Sequence, residues 1–421
     1  MVNSEGRIVV IDNGSHSCRA GFADGGADPA LSIRNIVLKP RRKLDNAAIT
    51  LVGQPPPSAL VGLETNRIPV KSAFDGNVVT NFEVQETVFD FVFDRISPAG
   101  DGCIDHEIVI TECVLNPPFA RQCMAELLFE TYGCRAVHMG SDAGFAYAWN
   151  LGQGVAPRQA TVVGMGHSST HLIPIVDAVP DYSACRRIGV GGLGLTAHLQ
   201  ETLEIRHGKP VSNKDVPLSG FDFAERFKAD LCYVSAQYGE ALRAMQCAAA
   251  EDATRAHKRE PGDGAPKGVT EVLPDFRMHT AVERIQIPEI YFQPSIAGIQ
   301  QWGLTEACVK VAGYAAETHA GVGNFHDLLE CVLLVGGGSG FRGIRERLAK
   351  ELRAECREGA SIGVVGGAGP SASILDAWRG AAAFARGEIK EGSAFADSVT
   401  RDEYAEEGRE RLFVHKRKPV A

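Results

Sequence analysis

Three runs of apolar residues, each ending in a glycine-bearing turn, punctuate the chain. They are Ile8-Val9-Val10-Ile11 before Asp12-Asn13-Gly14-Ser15, Thr161-Val162-Val163 before Gly164-Met165-Gly166-His167, and Val332-Leu333-Leu334-Val335 before Gly336-Gly337-Gly338. β-Branched runs suit buried strands, and Asp, Asn, Gly and Ser accept the tight turns that follow. The first two runs each lead into a second apolar stretch, so each predicts a strand, a turn and a returning strand. Such units about 150 residues apart predict two similar lobes facing each other across a cleft.

Between these runs the period changes to that of helices. Asn81 is a candidate N-cap ahead of Val84, Val88, Phe91, Val92 and Ile96 on one face. After the short strand Ile108-Val109-Ile110, the pattern predicts a helix over 121–132 that Gly133 stops. Helical patterns also cover 222–246, 304–316, 344–355 and 371–385, the last with Trp378 as a core anchor. Helices alternating with strands predict an α/β fold. Gln54-Pro55-Pro56-Pro57 cannot lie inside a helix or a central strand, which makes 32–68 loop-rich, and 247–268 reads as a mobile insertion.

Composition narrows the class. At 421 residues, 44% hydrophobic and 23% charged, the chain has material for more than one core. Its 43 Lys and Arg against 52 Asp and Glu leave a net charge of -9, so no global basic field addresses nucleic acid. Any such contact is local or indirect, and the basic clusters at 39–43 and 415–418 read as solvated segments. The 11 cysteines include no C-x-x-C pair, which favours reduced thiols of the cytosol or nucleus over disulfides or a zinc site. No basic flank precedes the first apolar run and polar residues interrupt the longer ones, so neither secretion nor membrane spanning is expected.

The candidate chemistry lies in the turns. Backbone N–H groups after Asp12, with the Ser15 hydroxyl and the Arg19 charge, suit an anion, although the same residues taken alone also make an ordinary turn. The loop at 336–343 precedes a helix and lets a nucleotide come close, with Phe341 beside a base. His167 and His171 fall on a turn and a strand and read as hydrogen-bonding residues rather than a metal pair. The glycine-dense 187–196 lacks the acidic residue of a dinucleotide fingerprint, and tight packing explains it better.

Taken together, these segments resemble the actin superfamily. Asp12-Asn13-Gly14-Ser15 with Ala20-Gly21-Phe22 matches its first phosphate loop, and Thr170-His171 with Pro174-Ile175 its second. Thr111-Glu112 with Asn116-Pro117, Pro288-Glu289 with Phe292-Gln293-Pro294-Ser295, and Gly336-Gly337 are further matches. The resemblance implies a two-lobed fold with duplicated mixed sheets. Subdomain 1 would span 1–31, 69–149 and 376–421, subdomain 2 32–68, subdomain 3 150–186 and 284–375, and subdomain 4 187–283 with a shortened insertion.

It also implies ATP or ADP in the cleft, with Mg2+. Asp12, Gly14 and Ser15 would hold phosphates, with Arg19 in place of a lysine. Gly166 and Thr170 of the second loop, and Gly192 beyond it, would contact the nucleotide, Lys228 would approach it, and Gly336, Gly337, Gly338 and Phe341 would hold its adenosine end. Asp12 is the one candidate metal contact, through water. Several positions depart from the family pattern. Asp142 replaces a water-orienting glutamine, Gly164 and His167 stand where the second loop has acids, and Ala229 replaces a ribose-binding glutamate.

No catalytic residue is therefore expected, and the nucleotide would serve as a clamp with little or no turnover. Details at 126–133, 285–290 and 400–404 resemble a nuclear branch of the family found in Ino-eighty-type chromatin remodellers. That likeness implies a non-filamentous scaffold in the nucleus. Its partners would be a remodeller ATPase and associated subunits, with histones or DNA indirectly and no membrane. The alternatives are a polymerising cytoskeletal ATPase and a small-molecule kinase, which would need a catalytic aspartate in the cleft, with Asp142 the candidate.

Overall fold

The first apolar run forms the strand Ile8–Asn13, paired antiparallel with Ser17–Phe22. The structure is a computed structural model that describes residues 7–64, 68–97, 104–208, 219–256, 269–273, 276–280, 282–319, 324–356, 360–366, 373–389 and 396–411. The hairpin belongs to a six-stranded sheet ordered Ala396–Thr400, Ala136–Ser141, Glu107–Glu112, Ile8–Asn13, Ser17–Phe22 and Leu31–Arg34. A second hairpin, Ala160–Met165 and Thr170–Val176, heads another six-stranded sheet. There Cys331–Val335 and Gly363–Val365 continue parallel on one side, while Val179–Pro180 and Arg186–Ile188 pair with the hairpin's outer strand. Both sheets follow one plan, a hairpin extended by two parallel strands, giving an α/β architecture.

Alternation along each strand divides its side chains between two layers. Val9 and Ile11 pack with Val88, Phe89 and Val92 of the helix Phe82–Ile96, whose first turn is capped by the Asn81 side chain accepting from the Val84 N–H. Val10 points the other way, into a layer it shares with Val162 and Leu333 of the second sheet and with Phe145 and Trp378. The helices Asp142–Gly152 and Asp376–Ala385 cross within that layer. Their backbones approach closely because residue 380 is glycine: a Cβ there would overlap the Phe145 carbonyl oxygen. Outside the second sheet, Val163, Leu172 and Leu334 pack against Val311, Leu348 and Phe227.

Several segments differ from expectation for local reasons. The helix expected over 121–132 begins at Pro118, where a missing donor is harmless, and turns π-helical over Leu127–Thr131. The pattern over 222–246 resolves into two helices, Ser219–Leu231 and Tyr238–Ala256, separated where Tyr233 bridges to Arg342. The first part of the expected mobile insertion is thus helical, and 257–268 lie outside the described residues. The helix anticipated from 371 begins at Asp376, with 371 and 372 outside the described residues. Pro57 opens a short 3-10 turn, Pro57–Leu60, at a first-turn position that needs no N–H. The basic cluster at 415–418 also lies outside. The ten described cysteines are free thiols, and no described helix is long and apolar enough to cross a membrane.

Candidate functional site

The two hairpins meet at their turns. In the first, the Gly14 N–H donates to the Ser17 carbonyl at 3.1 Å, and in the second the Gly166 N–H donates to the Ser169 carbonyl at 2.9 Å. Each turn leaves the N–H groups of its two central residues, Ser15 and His16 or His167 and Ser168, outside its own backbone hydrogen bonds. The turns touch through the Ser15 and Ser168 hydroxyls, 3.0 Å apart, and through the His16 and His167 rings, whose centroids lie 4.9 Å apart edge to face. Beneath the first turn, Asn35 donates to Asn13 Oδ1 and to the Gly14 carbonyl, and Asn13 donates to Gln85. This buried amide network holds the turn's shape.

Register decides what Asp12 and Arg19 do. A turn that pairs Asn13 with Cys18 places Asp12 directly opposite Arg19. Arg19 Nη1 donates to Asp12 Oδ2 at 2.7 Å, and the Thr111 hydroxyl donates to Oδ1 at 2.9 Å. Asp12 is 4% exposed, so the pair is withdrawn from most of the solvent. The Arg19 charge, expected to face an anion, is committed to its own hairpin.

The other expected residues divide into those that line the cleft and one that does not. Asp12, Gly14, Ser15, Arg19, Gly166, Gly192, Lys228, Gly336, Gly337, Gly338 and Phe341 border a single cavity of about 370 Å3 between the hairpins and the glycine loop. Thr170 faces away, fully buried, its hydroxyl donating to the Val190 carbonyl at 2.8 Å. Lys228 donates to the Gly192 carbonyl at 2.8 Å and to the Thr196 hydroxyl at 2.6 Å, which joins the helix Ser219–Leu231 to the start of Gly192–His207. Gly191, just ahead, admits no Cβ because the second turn lies directly against it, consistent with tight packing in this glycine-dense stretch.

Electrostatics separate the acids of the cleft. Burial pushes the Asp142 carboxyl up to about 7, reinforced by the charges of Asp12 and Glu112, although the Ala143 N–H donates to it. Glu112 is likewise raised by burial, against the pull of Arg121, which donates to it at 2.9 Å. Burial also acts to raise Glu225, but His16, Arg34 and Lys228 outweigh it and hold this carboxyl down at about 2. Burial lowers His167 to about 3, aided by His16, and lowers His171 to about 4. His171 hydrogen-bonds with Asn77 at 3.3 Å, as its reading anticipated. His167, expected to act likewise, makes no side-chain hydrogen bond among the described residues, and its ring faces His16 instead.

Two cleft residues escaped the sequence reading. Glu225 lies three residues before Lys228, hence on the same helix face, and its Oε1 is 3.1 Å from His16 Nε2. His16 sits at the tip of the first turn. The i, i+3 spacing to Lys228 would have flagged Glu225, whereas nothing local pairs it with His16.

The residues suit a nucleotide better than they suit a hard cation. Gly337 borders the cleft and a Cβ there would meet no protein atom within 4 Å, so its backbone is open to an adenosine. The buried Tyr291 hydroxyl at the same end has no hydrogen-bond partner among the described residues, and Phe341 stands edge-on to its ring at 6.1 Å. The free N–H groups of the two turns offer donors to phosphate oxygens. Mg2+ favours carboxylate oxygens and water. Asp12 already holds Arg19 and Thr111, and the facing positions are Gly164 and His167, so a protein-anchored Mg2+ does not fit.

Comparison with known proteins adds an independent measure. Residues 3–419 match the family model described as Actin. The chain is 39% identical over 238 residues to "Actin-related protein 5" of Arabidopsis thaliana, a match covering 56% of this chain and 32% of that protein. It is 34% identical over 243 residues to the protein of the same name in Homo sapiens, covering 57% and 38% respectively. These matches span about a third of the length of those relatives. "Actin-related protein 6" of Drosophila melanogaster is 28% identical over 435 residues, covering 95% of this chain and 97% of that protein.

Proposed function

The chain belongs to the actin family, and on that premise we propose that it is a non-filamentous scaffold of an Ino-eighty-type chromatin remodeller that holds ATP or ADP as a clamp. The relatives described above are actin-related proteins, and those of higher identity share one name. The observation that carries the clamp reading is the pairing of Asp12 with Arg19 opposite a second hairpin that bears Gly164 and His167.

Hydrolysis needs a water held in line and the developing charge neutralised, commonly through a metal. Here Asp12 is occupied, Glu112 is tied to Arg121, and Asp142 is pushed toward protonation. None of these three is free to anchor Mg2+ and its water. A bound nucleotide supplies a polyanion shared by both turns. Ser15 and His16 from one lobe, with His167 and Ser168 from the other, offer it backbone donors while the Ser15–Ser168 contact keeps the turns together. Binding to the folded chain alone stabilises it by about 2.7 kcal/mol at a ligand concentration of 100 times Kd.

The test is affinity purification of the full chain from nuclei, with its nucleotide content and phosphate release measured. Retained ADP or ATP, phosphate release far below that of conventional actin, and recovery with remodeller subunits are expected. Filaments that sediment with ATP and Mg2+, or turnover comparable to conventional actin, would sink the reading in favour of a cytoskeletal ATPase.

A further inference from the structure

The cleft contains one cluster whose side chains the clamp reading does not use. His16 at the tip of the first turn, His167 at the tip of the second and Glu225 on the helix Ser219–Leu231 each present a ligand-type atom, and these three atoms lie within 4.8 Å of one another. Among the described residues no other group of three or more His, Cys, Asp or Glu side chains converges in this way. We propose that His16, His167 and Glu225 form a binding site for a transition-metal dication of the zinc class, joining three separate parts of the chain.

The chemistry of the donors selects the ion. Two imidazoles and one carboxylate suit Zn2+ and its neighbours, whereas Mg2+ and Ca2+ prefer all-oxygen sets. Three protein ligands leave at least one coordination position, and this cluster borders the cleft, so water or an anionic oxygen can fill it. Around a tetrahedral ion with bonds of about 2.0–2.1 Å, neighbouring ligand atoms stand roughly 3.4 Å apart. His16 Nε2 and Glu225 Oε1, at 3.1 Å, are already near that spacing. The widest separation, at most 4.8 Å, must shrink by up to about 1.4 Å, which rotation of partly exposed side chains allows.

The contact between His16 and Glu225 is informative. Although close, it is not aligned as a hydrogen bond, and Nε2 has no hydrogen-bond partner among the described residues. On its other side, His16 Nδ1 lies 2.7 Å from the Ser17 hydroxyl. If Nδ1 carries the proton and donates it to Ser17, the Nε2 lone pair faces a carboxylate, an arrangement that a cation between them relieves. Metal-bound histidines commonly hold their second nitrogen this way. If Nε2 carries a proton, alone or together with Nδ1, the ion must displace that proton.

Neighbouring cations do not fill the position. Arg34 donates to Asp222 at 2.5 Å and reaches Glu225 only at 3.8 Å, while Lys228 is engaged with Gly192 and Thr196. The site rests on these side chains alone and does not depend on nucleotide or remodeller binding, so its test stands apart from that of the clamp.

The experiment titrates Co2+ and Zn2+ into the full chain, stripped by chelator and kept reduced, and follows both stoichiometry and the visible cobalt spectrum. One tight equivalent is expected, with a four- or five-coordinate spectrum lacking the near-ultraviolet band of thiolate ligation. His167→Ala and Glu225→Gln should each weaken binding by about 100-fold or more, whereas His171→Ala, at a histidine outside the cluster, should bind as the parent does. His16→Gln, with circular dichroism as a check on folding, gives a second variant at the other turn. Parent-like binding by folded His16→Gln and Glu225→Gln proteins, a thiolate band, or no tight equivalent would overturn the proposal.

Discussion

Arg19 and Asp12 face each other across the first hairpin at 2.7 Å, and the Thr111 hydroxyl takes the remaining carboxylate oxygen. Arg19→Ala therefore leaves a buried carboxylate with one neutral donor. Breaking such a pair from one side costs about 3–5 kcal/mol, while replacing both partners costs less. Urea denaturation should show this loss for Arg19→Ala and a smaller one for the double substitution Asp12→Asn, Arg19→Met. A loss for the double substitution equal to the sum of the losses for Arg19→Met and Asp12→Asn alone would mean that the pair is not energetically coupled.

The buried Asp142 carboxyl, raised to about 7, sets a pH dependence with a definite sign. A raised folded pKa means that the folded state binds the proton more tightly, so this group's stabilisation is complete below about pH 4 and fades as pH climbs through 7. His167 and His171, lowered to about 3 and about 4, act in the opposite sense, since their contribution is present above about 6.5 and fades on acidification. Asp142→Asn isolates the first effect. Its stability relative to the parent should rise between pH 4 and pH 8, by about 2 kcal/mol after discounting for partial contact with the cleft. A pH-independent difference would contradict the assignment.

Gly380 lies where the two central helices cross, with no room for a Cβ against the Phe145 carbonyl. Alanine is better than glycine in a helix by about 1 kcal/mol. Overpacking costs about 1–3 kcal/mol, and more where backbone must move. Overlap with a carbonyl oxygen puts Gly380→Ala at the upper end, for a net loss of about 2 kcal/mol. Thermal unfolding measures it, and a gain in Tm would show that the helices separate easily.

Local pattern made much of this fold legible. The two hairpins, the Asn81 cap and the helix Ile344–Glu355 follow from apolar runs, turn residues and period alone. The pairing of Asp12 with Arg19 was implicit as well, because the turn that joins Asn13 to Cys18 fixes the cross-strand partners beyond it. Reading Arg19 as an anion contact overlooked that register. Thr170 misled for the same reason, since its position opposite Met165 turns its side chain to the buried face. The approach of Glu225 to His16 has no local signal, as it depends on how a helix some two hundred residues away settles over the turn.

The contacts between the turns obey a reciprocal rule. With Gly14 and Gly166 as matching positions, the second residue of the first turn, Ser15, meets the third of the other, Ser168, while the third, His16, meets the second, His167. This is the exchange expected about a twofold axis between identical subunits, here produced within one chain. Whatever occupies that axis meets both halves on nearly equal terms. The symmetry fails two residues before each glycine, where Asp12 in one half corresponds to Gly164 in the other. At this matched position only the first hairpin keeps an acid, and Arg19 neutralises it.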